Sequence, residues 1–280
     1  MKQRLITAAL IVVAMVCVLL LSWTYVFPAV LSLLAVLAIF EVLRVFNMHK
    51  HYSVSVAAYI LAFALPIAAY VMVDIGYTVW QYVRVMALAL FCFMFYLFGV
   101  SVFRRGEYPF GEIAGAFMMT VYVVSSFSSL SVLRKIDKVG LFCLGIVLVV
   151  AWISDCGAYI VGSLIGKHKL IPEISPKKTV EGAVGGVAFA ALANLLYGFI
   201  VSLVCKDITP NYLVLALSGV VLSIISQIGD LLASVIKREH GVKDYSNILP
   251  GHGGIMDRFD SVLAVSVAAL IVSLLFAPFA

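Results

Sequence analysis

The stretch from Ser234 to Asp260 carries the densest set of groups in the chain that could do chemistry. Lys237, Arg238, Lys243, Asp244, His252, Asp257, Arg258 and Asp260 surround a glycine-rich turn, Pro250 to Gly254. Glycine lets backbone come close to a ligand. Asp257 and Asp260 stand three residues apart, so on a helix they share one face. Two carboxylates so spaced can hold a hard cation through oxygen, as Mg²⁺ requires, while phosphates and water complete its shell. Arg258 could reach a phosphate bidentately. Two acids at a helix start would also complement the helix dipole, but that simpler reading has no use for Asp230 or for the clustered cations. His252, between two glycines, could donate to a phosphate or help a proton leave; packing in the turn is the other reading.

Three segments upstream add to this set. Asp230, Ser234, Lys237 and Arg238 fall at i, i+4, i+7 and i+8, so one helix face runs from a carboxylate inside an apolar run to two cations at its edge. Asp155 lies in another apolar run, Ala151 to Tyr159, where it could serve a site or a polar contact between helices. Ser175-Pro176-Lys177-Lys178-Thr179 comes just before a third. A helix N-terminus suits phosphate, and lysines with hydroxyls there add charge-assisted hydrogen bonds. Ser175 or Thr179 could cap that helix, and an ordinary cationic anchor is the alternative. The Walker pattern G-x-x-x-x-G-K-[ST] is absent. Glu41, three residues before Arg44 near a span end, reads as a local ion pair or a snorkelling side chain. His49, His51, His168 and His240 read as surface loop residues.

The elements that must position these groups are membrane helices. The chain of 280 residues is 64% hydrophobic and 12% charged, against about 25% charged in soluble domains. A spanning helix needs roughly 20 apolar residues. Nine such runs occur, at about 5–23, 25–43, 53–73, 85–103, 113–133, 139–165, 180–204, 212–236 and 261–279. The expected fold is all-α, a polytopic helical membrane bundle read as one domain over 1–280. Within it the helices of 1–135 have no assigned role, and the chemical motifs fall in 150–262. With the N-terminus inside, fourteen of the nineteen Lys and Arg lie on the cytoplasmic side, as the positive-inside rule asks. The exception is the outer segment holding Arg134, Lys135 and Lys138. The long polar segments 166–179 and 237–260 then face the compartment that holds nucleotides. The five cysteines form no CxxC or Cys/His pattern, so neither a disulfide framework nor zinc is expected. No internal duplication of the kind that marks inverted-repeat transporters is visible.

Ser234 to Asp260 resembles, position for position, the signature S-x-x-K-R-x4-K-D-x-S-x2-L-P-x-H-G-G-x-x-D-R-x-D of phosphatidate cytidylyltransferases, also called CDP-diacylglycerol synthases. Asp155-Cys156-Gly157-Ala158-Tyr159 and Ser175 to Gly182 resemble upstream motifs of that family. Ala233 departs from the Glu often found there, and Cys156 from Thr or Ser. The resemblance implies transfer of CMP from CTP to phosphatidic acid at the bilayer, with no nucleic acid involved. It implies Mg²⁺ held by Asp230, Asp257 and Asp260, and allows K⁺ as a second ion. Lys177, Lys178, Lys237, Arg238 and Lys243 would manage phosphate charge, with Asp244, His252 and Arg258 in the same catalytic set. Asp155, Tyr159, Ser175, Thr179 and Glu181 would belong to nucleotide binding. The expected location is a bacterial inner membrane, with the site facing the cytoplasm. The small residues of Gly182 to Ala193 allow a homodimer, and equally lipid-facing or intrachain packing.

Overall fold

The computed structural model describes residues 2–104, 106–249 and 251–280, the side chains of 2–8 and 11 excepted. Arg105 and Pro250, both used above, lie outside the described residues, as do the side chains of Lys2 and Arg4. The helices are α1 (Lys2–Leu20), α2 (Val26–Val45), α3 (Tyr52–Asp74), α4 (Val79–Phe103), α5 (Phe110–Arg134), α6 (Gly140–Ile165), α7 (Val180–Val204), α8 (Tyr212–Glu239) and α9 (Met256–Phe276). Among the described residues, α2 to α9 are each long and apolar enough to cross a membrane. The chain is an integral membrane protein. Its all-helical character holds except in segment 166–179, expected as a plain loop. There β1 (Lys169–Ile171) and β2 (Ser175–Thr179) pair antiparallel, with Lys169 opposite Thr179 and Ile171 opposite Ser175.

The chain divides into two compact units. The first holds residues 1–135 and 240–258; the second holds 136–239 and 259–280. In the first unit α2 packs on α3 and α5, and α3 on α4 and α5. Ala35 and Ala38 of α2 and Ala58, Ala62 and Ala69 of α3 are fully buried. Small side chains of this kind let helix backbones approach closely where no hydrophobic effect drives association. The helix α4 starts at Val79 rather than at the expected 85. A reciprocal cap extends it: Gln81 N–H donates to Thr78 Oγ1 (3.2 Å) and Thr78 N–H to Gln81 Oε1 (2.7 Å). Two of the three cations that sat awkwardly in the orientation, Arg134 and Lys135, have partners in the first unit. Lys135 pairs with Asp74 and lies over the Tyr70 ring, and Arg134 Nε donates to Ser22 Oγ at 2.8 Å. Tyr25 also donates to Asp74, and that hydrogen bond, followed by the carboxylate's charge, raises the Tyr25 pKa.

In the second unit α6, α7 and α8 pack against one another. Glycines set the α6–α7 approach. A Cβ on Gly186 would come 2.7 Å from the Ser154 carbonyl oxygen, and one on Gly182 2.7 Å from that of Ala158. The small residues at the start of α7 are therefore used within the chain. The helix α9 begins at Met256 rather than 261, which brings Asp257 into its first turn.

Candidate active site

The second unit gathers acids and lysines from α6, β2, α8 and α9. Ser154 of α6 and Ser223 of α8 share a buried hydrogen bond of 2.7 Å. Gln227 Nε2 donates to the Ala183 carbonyl of α7 at 3.1 Å. These contacts fix the register of α8 against both neighbours. Asp155 follows Ser154 directly, and Asp230 lies one turn beyond Gln227, so the polar pins aim both carboxylates. Ser261 Oγ of α9 donates to Asp155 Oδ2 at 3.1 Å, which ties the residue after Asp260 to α6. Asp260 lies within Coulombic range of Asp230, Asp155 and Lys237, and Asp155 within range of Asp230 and Lys178. Three like charges from three helices thus face a common region. Like charges stay together only where cations or protons balance them.

Lysines supply part of that balance. The hairpin delivers Lys178, which forms an ion pair with Asp230; both side chains are about a quarter exposed, at 28% and 27%. Side chains alternate along a strand, so the neighbouring Lys177 points away and is exposed. Thr179 ends the hairpin and caps α7, its Oγ1 accepting from Gly182 N–H at 3.1 Å. Glu181 closes the hairpin base: it accepts from Lys167 N–H at 3.1 Å and from His168 N–H at 3.2 Å, and meets His168 Nδ1 at 2.6 Å. The structure thus gives Glu181 and His168 a bracing contact. Ser175 is half-buried in β2, while Tyr159 is exposed on α6, one turn after Asp155. Lys237 and Arg238 occupy the last turn of α8, where cations complement the helix dipole.

The first unit holds the glycine turn, and here the ion pair expected of Glu41 gives way to something else. Glu41 is wholly buried in α2. Its Oε1 accepts from Ser246 Oγ (2.6 Å) and Ile255 N–H (2.9 Å), and its Oε2 from Met256 N–H (2.8 Å). One carboxylate therefore holds both limbs of the signature segment. A side chain on Gly254 would collide with that carboxylate, which explains the glycine. Asp257 Oδ2 accepts from Tyr245 N–H (2.8 Å) and Gly254 N–H (2.9 Å), a second brace on the same turn. Gly251 and Gly253 adopt φ of 77° and 80°, a region closed to most residues. Leu249 N–H donates to Gly253 O at 2.9 Å and Arg258 Nε to His252 O at 2.7 Å. His252 itself is half-buried in this turn.

Lys243 and Asp244 are exposed. A cavity of about 440 Å³ lies beside them, lined by Arg44, Asn47, His240, Asp244 and Asn247 among others. His240 is no free surface residue: its ring packs edge-on against Phe46 at 4.7 Å and its Nε2 lies 3.8 Å from Glu112.

A hard divalent cation fits the donor chemistry of Asp155, Asp230 and Asp260, whose carboxylate oxygens reach a common region of the second unit. Among the described residues no three His, Cys, Asp or Glu side chains converge to ligand distance. Mg²⁺ is usually held by one or two carboxylates while substrate phosphates and water supply the rest.

Glu41 is the residue that reasoning from sequence missed. A carboxylate within a span is a functional candidate by default. The nearby Arg44 drew the assignment to a local pair instead.

Comparison with known proteins places the chain. The profile of the "Cytidylyltransferase family" matches residues 2–276. The chain is 42% identical over 180 residues to the phosphatidate cytidylyltransferase of Bacillus subtilis (strain 168), covering 64% of this chain and 65% of that one. It is 36% identical over 266 residues to that of Staphylococcus haemolyticus (strain JCSC1435), and 34% identical over 266 residues to that of Staphylococcus aureus (strain COL). Each of these two alignments covers 95% of this chain and 96% of the relative.

Proposed function

The chain belongs to the cytidylyltransferase family, and from that premise we propose that it transfers CMP from CTP to phosphatidic acid, giving CDP-diacylglycerol and pyrophosphate. One observation supports this reading above the others. Asp155, Asp230 and Asp260 reach one region from three spanning helices, with Lys178 and Lys237 beside them. Such a site can neutralise phosphate charge at a membrane, where the lipid substrate keeps its acyl chains.

A phosphate oxygen of phosphatidic acid forms a bond to the α-phosphorus of CTP. The bond from that phosphorus to the bridging oxygen breaks, and pyrophosphate leaves with the electron pair. The nucleophile is already an anion, so the protein need remove no proton. Its work is to hold two mutually repelling anions in line and to stabilise charge on the leaving group. Lys178 and Lys237 would meet the phosphates, and the exposed Lys177, Arg238 and Lys243 would draw in both anions. Mg²⁺ held by Asp230 and Asp260 would act as template and Lewis acid. The resemblance assigns Asp257 to the same metal set, and its Oδ2 also braces the turn. K⁺ beside it is part of the same proposal. The cation bias of the loops supports a bacterial inner membrane with the site on the cytoplasmic side. A homodimer formed through α7 would use its outward residues, such as Val184 and Leu192, because its first glycines serve α6.

The test is purified protein in phosphatidylcholine vesicles with CTP, phosphatidic acid and Mg²⁺, followed by product analysis. Pyrophosphate and CDP-diacylglycerol in equal amounts are expected. Release of CDP instead would make the protein a lipid kinase and overturn the proposal.

A further inference from the structure

A second cavity in the first unit, of about 590 Å³, lies where α3 begins and α4 ends. Its polar end holds Lys50, Ser53, Arg104 and Tyr108. Its wall continues along α3 through Val56 and Ile60, which are 46% and 61% exposed. At 1.5 Å per residue, Ser53 and Ile60 are about 10 Å apart along the helix. A cationic mouth therefore passes into an apolar wall over a distance that takes a headgroup into the acyl region of a bilayer.

The mouth carries positive charge that the protein does not itself balance. Among the described residues Lys50 has no carboxylate partner, while Arg104 meets Glu107 at 3.1 Å. The helix α3 starts at Tyr52 without a side-chain cap, and while Val54 and Ser55 N–H donate to the His51 carbonyl, the N–H groups of Tyr52 and Ser53 are left for another acceptor. The rim is ordered. Tyr96 donates to the Ser53 carbonyl at 2.7 Å, the hydroxyls of Ser53 and Tyr108 lie 3.2 Å apart, and the His51 and Tyr108 rings pack edge to face at 4.5 Å. Cations and tyrosines at span ends also serve as general interfacial anchors. An anchor needs neither a cavity nor a hydrogen-bonded rim, and it gains nothing from binding a single molecule.

We propose that this cavity seats the phosphate headgroup of one anionic glycerophospholipid, with its chains lying along Val56 and Ile60. A site built this way prefers an anionic lipid to a neutral one, because Lys50 and Arg104 gain charge-assisted contacts only with net negative charge. Binding here is independent of cytidylyl transfer and needs no CTP.

The test is native mass spectrometry of the full chain in detergent, titrated with phosphatidylglycerol and, separately, with phosphatidylcholine. Wild type should retain one phosphatidylglycerol at concentrations where phosphatidylcholine does not bind. The double variant Lys50→Gln, Arg104→Gln should weaken that site at least tenfold. Val56→Asp, which puts a like charge on the apolar wall, should weaken it as well. An unchanged thermal melt shows that each variant is folded, and a variant that melts early is replaced by Lys50→Gln alone. Millimolar inorganic phosphate should fail to displace the lipid. Displacement by phosphate alone would overturn the assignment to a lipid. Equal retention of the two lipids, or full retention by the folded double variant, would leave Lys50 and Arg104 as interfacial anchors and overturn the proposal.

Discussion

The glycine turn of the first unit and the acidic region of the second use the same functional group for opposite ends. In the turn, the carboxylates of Glu41 and Asp257 are covered by backbone N–H groups and a serine hydroxyl. Their charge is neutralised by dipoles, and what they produce is shape. In the second unit, Asp155, Asp230 and Asp260 face one another and lysines. Their charge is left to act on something that arrives. A carboxylate's surroundings, more than its place in a motif, decide whether it folds the loop or handles the substrate. Asp257 and Asp260 make the point within one stretch: three residues apart in α9, one braces a turn and the other meets like charges.

Substitutions that remove charge but keep shape should separate the two regions. Asp230→Asn should have the largest effect, a loss of pyrophosphate release of roughly a thousandfold, with an unchanged melting temperature. A variant that turns over normally would remove the second unit from the chemistry. Asp257→Asn comes next. The amide oxygen still accepts from Tyr245 and Gly254, so the turn should survive, while turnover falls by roughly a hundredfold. Full activity in a stable Asp257→Asn would make this residue a brace and nothing more.

Glu41 should behave in the opposite way. Glu41→Ala leaves three buried donors without an acceptor, at about 1–3 kcal/mol each. Its signature is a large fall in melting temperature, with activity lost in proportion. Glu41→Gln, which sets an amide N–H₂ against one of those donors, should fall between the alanine variant and wild type. A Glu41→Ala variant that melts normally would break the distinction from the structural side. Lys177→Ala should have the smallest effect. Its side chain is exposed on the strand face opposite Lys178, so a few-fold rise in the CTP concentration needed is expected at low salt and should fade as salt screens the charge. A salt-independent effect would place Lys177 in direct contact with substrate.

The spanning helices were legible because apolar runs of this length have no other stable solution in a bilayer. Their boundaries were less so. The Thr78–Gln81 cap rests on local hydrogen bonds, and the early start of α9 at Met256 accompanies N–H bonds to Glu41 and Asp257; hydropathy registers neither. The acids and lysines of the second unit were legible as charges at odds with their surroundings. Their mutual orientation depends on Ser154, Ser223 and Gln227, ordinary polar residues with nothing in their spacing to mark them. The hairpin was not legible at all. Its strands are three and five residues long and carry Lys and Pro, which are poor strand formers. Glu41 was misread because its partners stand 205 and 214 residues downstream, and no local pattern points that far.

Mg²⁺ binding tests the central claim most directly. Mn²⁺ can stand in as a paramagnetic probe, titrated into purified protein with CTP while the free ion is followed by electron paramagnetic resonance. Wild type should bind Mn²⁺ at a site from which Mg²⁺ displaces it, and both Asp230→Asn and Asp260→Asn should lose that site while Glu41→Gln keeps it. Undiminished Mn²⁺ binding by the folded Asp230→Asn, Asp260→Asn double variant would contradict the account.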